Sequence, residues 1–247
     1  MNIVAIETAT ETVGVAVRTE SGVQAEFALT GRRRHVESLA PAMKHLFDQV
    51  GLDVGDLHAV AVDLGPGLFT GLRVGVSAAK GLAQALGIGV MGLTSLDILI
   101  RAAAQSGQRG HVLAAVDARR GEVFAALGEV RSADGETEEI FSPGLFAPFE
   151  LAAALAELGG IPILAVGDGA QRYSEVVGAV PGVSCVLQAF GFPPPLTLLA
   201  MASALLEEGA APVEPQLVVP LYMREADARS NFAQIDRPES SPSAAPS

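Results

Sequence analysis

Apolar residues in this chain fall into two kinds of run. Short, β-branched stretches bounded by Gly, Pro or acids predict strands at residues 3–7, 13–18, 22–29, 58–64, 89–92, 112–117 and 122–127. Longer stretches, with apolar residues three or four apart, predict helices. The first covers residues 36–50, where Val36, Leu39, Ala40, Met43, Leu46, Phe47 and Val50 spread over a wide arc. The second opens after a sharp corner at Gly65-Pro66-Gly67, where glycine permits φ angles closed to other residues and proline fixes its own. Thr70 stands where an N-cap is expected. In this helix Gly71, Gly75, Ala79 and Ala83 recur every four residues, and Val74, Ala78, Leu82 and Leu86 form a second stripe. A surface helix needs only one apolar face. Two point either to a helix buried on all sides or to a small-residue seam that admits a partner helix closely, as such spacing does in membranes.

Residues 95–104 predict a further helix capped by Ser95. The second half is weaker in pattern: a strand at 138–141, a helix at 148–158, a strand at 163–166, a turn at Gly167-Asp168-Gly169 into a helix through Tyr173, and a strand at 183–187. Pro193-Pro194-Pro195 then precedes an apolar helix at 196–207. One unit recurs. The first strand ends in the acid Glu7, turns and returns, and about a hundred residues later another strand ends in Asp117, turns and returns. Such a repeat suggests two related lobes. We expect an N-terminal lobe at 1–96, completed by the helix 196–207, and a C-terminal lobe at 97–195. Residues 225–247, rich in Pro, Ser and Ala, should form a disordered tail.

With 247 residues, 49% of them hydrophobic, the chain can bury a substantial core. Its start carries no basic leader and no run is long enough to span a bilayer, so a cytoplasmic protein without a membrane role is expected. The formal net charge of −12 argues against direct binding to nucleic acid, and any RNA role would need a basic partner. Arg32-Arg33-Arg34-His35 is the one basic cluster of note, and it also fits a solvated loop. The lone Cys185 excludes an intramolecular disulfide and a cysteine-cluster metal site. His35, His45, His58 and His111 show no His-x-x-x-His spacing, so neither metal nor cofactor is expected. Glu7 and Asp117 are nevertheless the positions at which a two-lobed phosphotransferase would hold a metal-bound nucleotide. Gly167 and Gly169 could bring backbone amides near its phosphates, although turn chemistry also accounts for these glycines and no P-loop lysine accompanies them.

Taken together, Ile3-Val4-Ala5-Ile6-Glu7-Thr8-Ala9-Thr10, Gly65-Pro66-Gly67-Leu68-Phe69-Thr70-Gly71-Leu72-Arg73 and Asp117-Ala118-Arg119-Arg120-Gly121-Glu122-Val123-Phe124 resemble the bacterial TsaB family, also called YeaZ; Pro220-Leu221-Tyr222-Met223-Arg224 fits the same pattern. The resemblance implies an α/β fold with two related lobes, the actin/hexokinase/Hsp70-like (ASKHA) architecture. It also implies a noncatalytic subunit of the complex that transfers a threonylcarbamoyl group to N6 of an adenosine in certain tRNAs. Its partners would be a TsaD-like catalytic subunit and a TsaE-like ATPase, with tRNA reached only indirectly. TsaD-like chains place a metal-binding His-x-x-x-His after the strand that follows Gly-Pro-Gly, whereas residues 90–97 here hold no histidine. Glu7 stands where the family more often has Asp. The helix at 36–50 and the helix after the corner are expected to form the partner face through Val36, Leu39, Met43, Phe47, Leu72, Gly75, Ala79, Leu82 and Ala83. Three readings compete. An independent phosphotransferase would rest on Glu7 and Asp117; a metallopeptidase would need a metal pair or nucleophile that the sequence does not display; a homodimeric scaffold would use the same seam on itself.

Overall fold

Residues Ile3–Glu7 (β1) and Thr12–Arg18 (β2) pair antiparallel, and Gln24–Thr30 (β3) adds antiparallel to β2. The chain crosses through helix His35–Val50 (α1) to Ala59–Asp63 (β4), parallel to β1, and through helix Phe69–Leu86 (α2) to Gly89–Leu93 (β5), parallel to β4. The first sheet therefore has the order β3-β2-β1-β4-β5. After helix Ser95–Gln105 (α3) the plan repeats. Gly110–Arg119 (β6), Glu122–Val130 (β7) and Thr137–Phe146 (β8) form an antiparallel meander. Helix Pro148–Ala156 (α4) leads to Ile163–Val166 (β9), parallel to β6, and two short helices, Asp168–Arg172 (α5) and Ser174–Val177 (α6), lead to Val183–Cys185 (β10). The second sheet, β10-β9-β6-β7-β8, has the order and strand directions of the first. This is the two-lobed actin/hexokinase/Hsp70-like α/β architecture, and the sequence repeat is its imprint. The computed structural model describes residues 1–31, 35–132, 136–185 and 191–223.

Strands β1 and β4 are buried throughout because both faces of the first sheet are covered, which gives continuous apolar runs rather than alternation. Val4, Ile6, Val60 and Val62 face Leu46 and Phe47 of α1 and Val76 and Ala79 of α2. Ile3, Ala5 and Ala61 face Leu198, Leu199 and Ala202 of the last helix, Pro195–Glu207 (α7). The connecting helices thus change lobes: α7 packs on the first sheet, α3 on the second, and the two helices touch where the lobes join. Beyond α7 the chain returns along the first lobe as an arm. Val213 bridges Val90, Val218 enters the core, and Lys80 Nζ donates to the Val218 carbonyl at 2.9 Å.

Two capping expectations are corrected. The N-cap of α2 is Leu68, not Thr70, and it contributes no side-chain acceptor. The corner is fixed through the backbone instead: Leu68 N–H donates to the Ala9 carbonyl at 2.6 Å, and the helix has begun by Phe69. Helix α3 is capped by Thr94, whose hydroxyl accepts from Asp97 N–H at 3.1 Å, leaving Ser95 for another role. The strand expected at 138–141 extends over Thr137–Phe146. The arginines 32–34, Leu187 and the expected tail at 225–247 lie outside the described residues. Among the described residues no helix is long and apolar enough to cross a membrane.

Candidate functional site

Helix α2 has two small-residue faces, and they do different things. Gly71, Leu72, Gly75, Val76, Ala79 and Ala83 are buried against the chain's own sheet. A Cβ on Gly75 would stand 2.2 Å from Thr8 Oγ1, which itself donates to the Gly71 carbonyl at 2.8 Å. The four-residue seam therefore seats the helix on the β1 turn. This corrects the expected partner face: Leu72, Gly75, Ala79 and Ala83 are core, and so are Leu39 and Phe47 of α1. Of the remaining expected residues, Met43 and Leu82 are half-buried at the edge of that core and Val36 is exposed.

The outward face of α2 carries Phe69, Arg73, Ser77, Gly81 and Ala85, flanked by the half-buried Val74 and Ala78. Arg73 is its only charge, because Lys80 bends away to the carbonyls of Gln216 and Val218. Gly81 sits in mid-helix with nothing within 4 Å of the place its Cβ would occupy. A mid-helix glycine costs about 1 kcal/mol relative to alanine, and no packing within this chain requires one there. By contrast, the outward face of α1 shows Glu37, Lys44, His45 and Asp48, with Lys44 and Asp48 paired at 2.7 Å.

Behind α2, the strand-end acids meet. The parallel register of β1 and β4 carries Glu7 alongside Asp63, and both are buried. Asp63 accepts from Gly65 N–H at 2.7 Å, and Ser95 Oγ lies 2.8 Å from each of its carboxylate oxygens. Glu7 Oε1 accepts from Ala9 N–H at 2.9 Å, while its Oε2 has no conventional partner. Burial pushes the Glu7 carboxyl well above the ordinary carboxylate range, and the Asp63 charge pushes the same way. Burial also raises Asp63, against hydrogen bonds from Glu7, Gly65 and Ser95 that favour its charged form. A proton on Glu7, donated to Asp63, satisfies the otherwise orphaned Oε2. The acid pair then joins the β1 turn, the Gly-Pro-Gly corner and the start of α3.

The corresponding corner of the second lobe is built from ion pairs. Asp117, with 2% of its side chain exposed, meets Arg119 Nη1 at 2.9 Å and Arg172 Nη1 at 3.6 Å. Arg119 Nη2 reaches across to Glu11 of the first lobe at 2.7 Å. A bulge follows Asp117, and Arg119 and Arg120 both take left-handed φ, 63° and 56°, a conformation rare for side-chain-bearing residues. Asp168 Oδ1 accepts from Asp117 N–H at 2.9 Å, and burial lifts the Asp168 carboxyl to about 6.

The four expected nucleotide contacts are thus divided between lobes and engaged within the chain. Glu7 lies against Asp63, and Asp117 against its arginines. A Cβ on Gly167 would come within 2.1 Å of the Ala115 carbonyl oxygen, and one on Gly169 within 2.8 Å of Val116 backbone, so close backbone approach accounts for both glycines. Among the described residues no group of three or more His, Cys, Asp and Glu is placed to hold a metal. Sequence reasoning missed Asp63 as the partner of Glu7, although both end strands flanking one corner. It also missed Gly81, a helix-interior glycine outside the four-residue seam.

A family model described as "TsaD: tRNA N6-adenosine threonylcarbamoyltransferase" matches residues 17–232. The tRNA threonylcarbamoyladenosine biosynthesis protein TsaB of Escherichia coli K12 is 31% identical over 229 residues, covering 91% of this chain and 95% of that protein. The TsaB of Bacillus subtilis 168 is 29% identical, covering 96% of this chain and all of its own. The solved structure of YeaZ from Pseudomonas aeruginosa superposes with a TM-score of 0.77 at 28% identity, over 90% of this chain and 99% of that one.

Proposed function

The chain belongs to the bacterial TsaB (YeaZ) family, and from that premise we propose that it acts in tRNA threonylcarbamoyladenosine biosynthesis as a noncatalytic scaffold that docks a TsaD-like catalytic subunit on the outward face of α2. A TsaE-like ATPase joins the same assembly, and tRNA is reached through the partners. The observation that carries the reading is Gly81: a mid-helix glycine, open to solvent, at the centre of a face whose one charge is Arg73. A partner helix can approach closely there, as small residues permit. Residues 90–97 lack histidine, and both strand-end acids are engaged inside the chain, which supports assigning the transfer chemistry to the partner.

The test is a pair of substitutions read by melting temperature and by calorimetric affinity for the catalytic subunit. Gly81→Leu should leave folding intact and weaken docking by about 1–3 kcal/mol, roughly one to two decades. Gly75→Leu should instead lower the melting temperature, because its side chain meets Thr8. Wild-type affinity in a folded Gly81→Leu protein would remove the docking face. Transfer activity by the chain alone would remove the noncatalytic reading.

A further inference from the structure

The outward stripe of α2 changes character along its length: small at Ser77, Gly81 and Ala85, and bulky at its N-terminal end. There Phe69 is 51% exposed and Tyr222, from the C-terminal arm, 48%. Their ring centroids lie 5.4 Å apart. The Arg73 guanidinium stands 3.8 Å from the Phe69 centroid, and its Nε donates to Tyr222 Oη at 3.3 Å. That contact uses one of five guanidinium N–H groups. In a chain with 28 acidic against 16 basic residues, none of the ion pairs among the described residues includes Arg73. Its surroundings reinforce the positive charge. Helix α2 has no acid in its first turn and no side-chain cap, so the helix dipole at this end is uncompensated by a carboxylate.

We propose that Phe69, Arg73 and Tyr222 form an anchor for an acidic side chain on a helix of the docked partner. The anchor rests on the docking face argued above and specifies its chemistry. Arg73 lies eight residues before Gly81, which at about 1.5 Å per residue is about 12 Å along the axis. The partner helix should therefore carry an Asp or Glu about two turns from the residue that passes over Gly81. Charge complementarity selects this occupant: a stacked, hydrogen-bonded guanidinium presents its remaining N–H fork to a carboxylate with little freedom left to lose. The flanking rings exclude water from the pair, the setting in which Arg and Tyr dominate interface energetics.

The experiment titrates the full chain with the TsaD-like catalytic subunit at low and high salt, for wild type, Arg73→Ala, Arg73→Glu and Gly81→Leu. Arg73 is exposed, so its variants should melt close to wild type. We expect about a tenfold loss of affinity for Arg73→Ala and a larger loss for Arg73→Glu. Salt should weaken wild type more than Arg73→Ala, and a Lys in place of the partner's acid should restore binding to Arg73→Glu. If Gly81→Leu is weakened while Arg73→Glu binds like wild type, the anchor is wrong and the docking face stands. If both bind like wild type, the docking face falls and the anchor with it. If Arg73→Glu keeps its affinity for the subunit but the assembled complex retains less tRNA, the arginine serves an RNA phosphate and the anchor is overturned.

Discussion

In the first lobe the acid that ends the central strand, Glu7, faces a second acid, Asp63, and neither takes part in an ion pair among the described residues; in the second lobe the counterpart Asp117 is met by two arginines. The topologies are the same, so the difference lies in what closes over each corner. Gly-Pro-Gly lowers the 18-residue α2 onto the β1 turn, with Gly75 against Thr8, and Glu7 is sealed from water. A carboxylate in such a place keeps its proton. In the second lobe the equivalent crossover starts with the five-residue α5, and Arg119 and Arg172 remain 37% and 55% exposed while reaching Asp117. There the acid is met by cations rather than by a second acid. One corner is therefore a buried polar weld beneath α2, and the other a partly hydrated clasp that also ties the lobes through Glu11.

The comparison breaks most readily at Glu7. Replacing it with Ala leaves Ala9 N–H without its acceptor and Asp63 without its donor, so a loss of about 3 kcal/mol is expected. At about 2–4 °C per kcal/mol for a chain of this size, thermal melting should fall by roughly 10 °C; a shift of a degree or two would mean that the weld is not structural. Glu7→Gln sharpens the point, since its amide can both accept from Ala9 and donate to Asp63. The native Glu7 value is raised, so the stability it contributes is complete below the unfolded value, about 4.3, and is lost as pH rises through the folded value. The Gln variant should lack that decline. Parallel pH profiles for the two proteins would place the proton elsewhere.

In the second lobe, Arg119→Ala removes partners from Asp117 and Glu11 at once. Partial exposure of the arginine limits the expected cost to about 1–2 kcal/mol, measurable by denaturant unfolding, and an unchanged midpoint would reduce the clasp to a surface contact. The smallest effect belongs to Asp168→Asn, which keeps an acceptor for Asp117 N–H. Asp168 rises from 3.8 to about 6 on folding, so its contribution is present below about 4 and disappears as pH climbs through about 6. Chemical-denaturation profiles across that interval should be flatter for the Asn variant.

Periodicity and turn chemistry determined most of the first lobe. The strands at 3–7 and 58–64, the corner and the two long helices follow from local spacing, and the recurrence of strand, acid and turn anticipated the second lobe. Sequence also determined the excess of acid and the lone cysteine. Tertiary structure decided which side of each element is spent inside the chain. Gly75 and Gly81 are both small residues in one helix, and only the position of Thr8 assigns the first to the core and leaves the second open. Ser95 could cap α3 on local grounds, yet Thr94 does so, because Asp63, 32 residues earlier, holds the Ser95 hydroxyl. The pairing of Glu7 with Asp63 arises only when β4 lies parallel beside β1, and the tie between Glu11 and Arg119 spans 108 residues. Local patterns record how a segment folds on itself; burial, protonation and the choice of an outward face depend on neighbours that chain order does not specify.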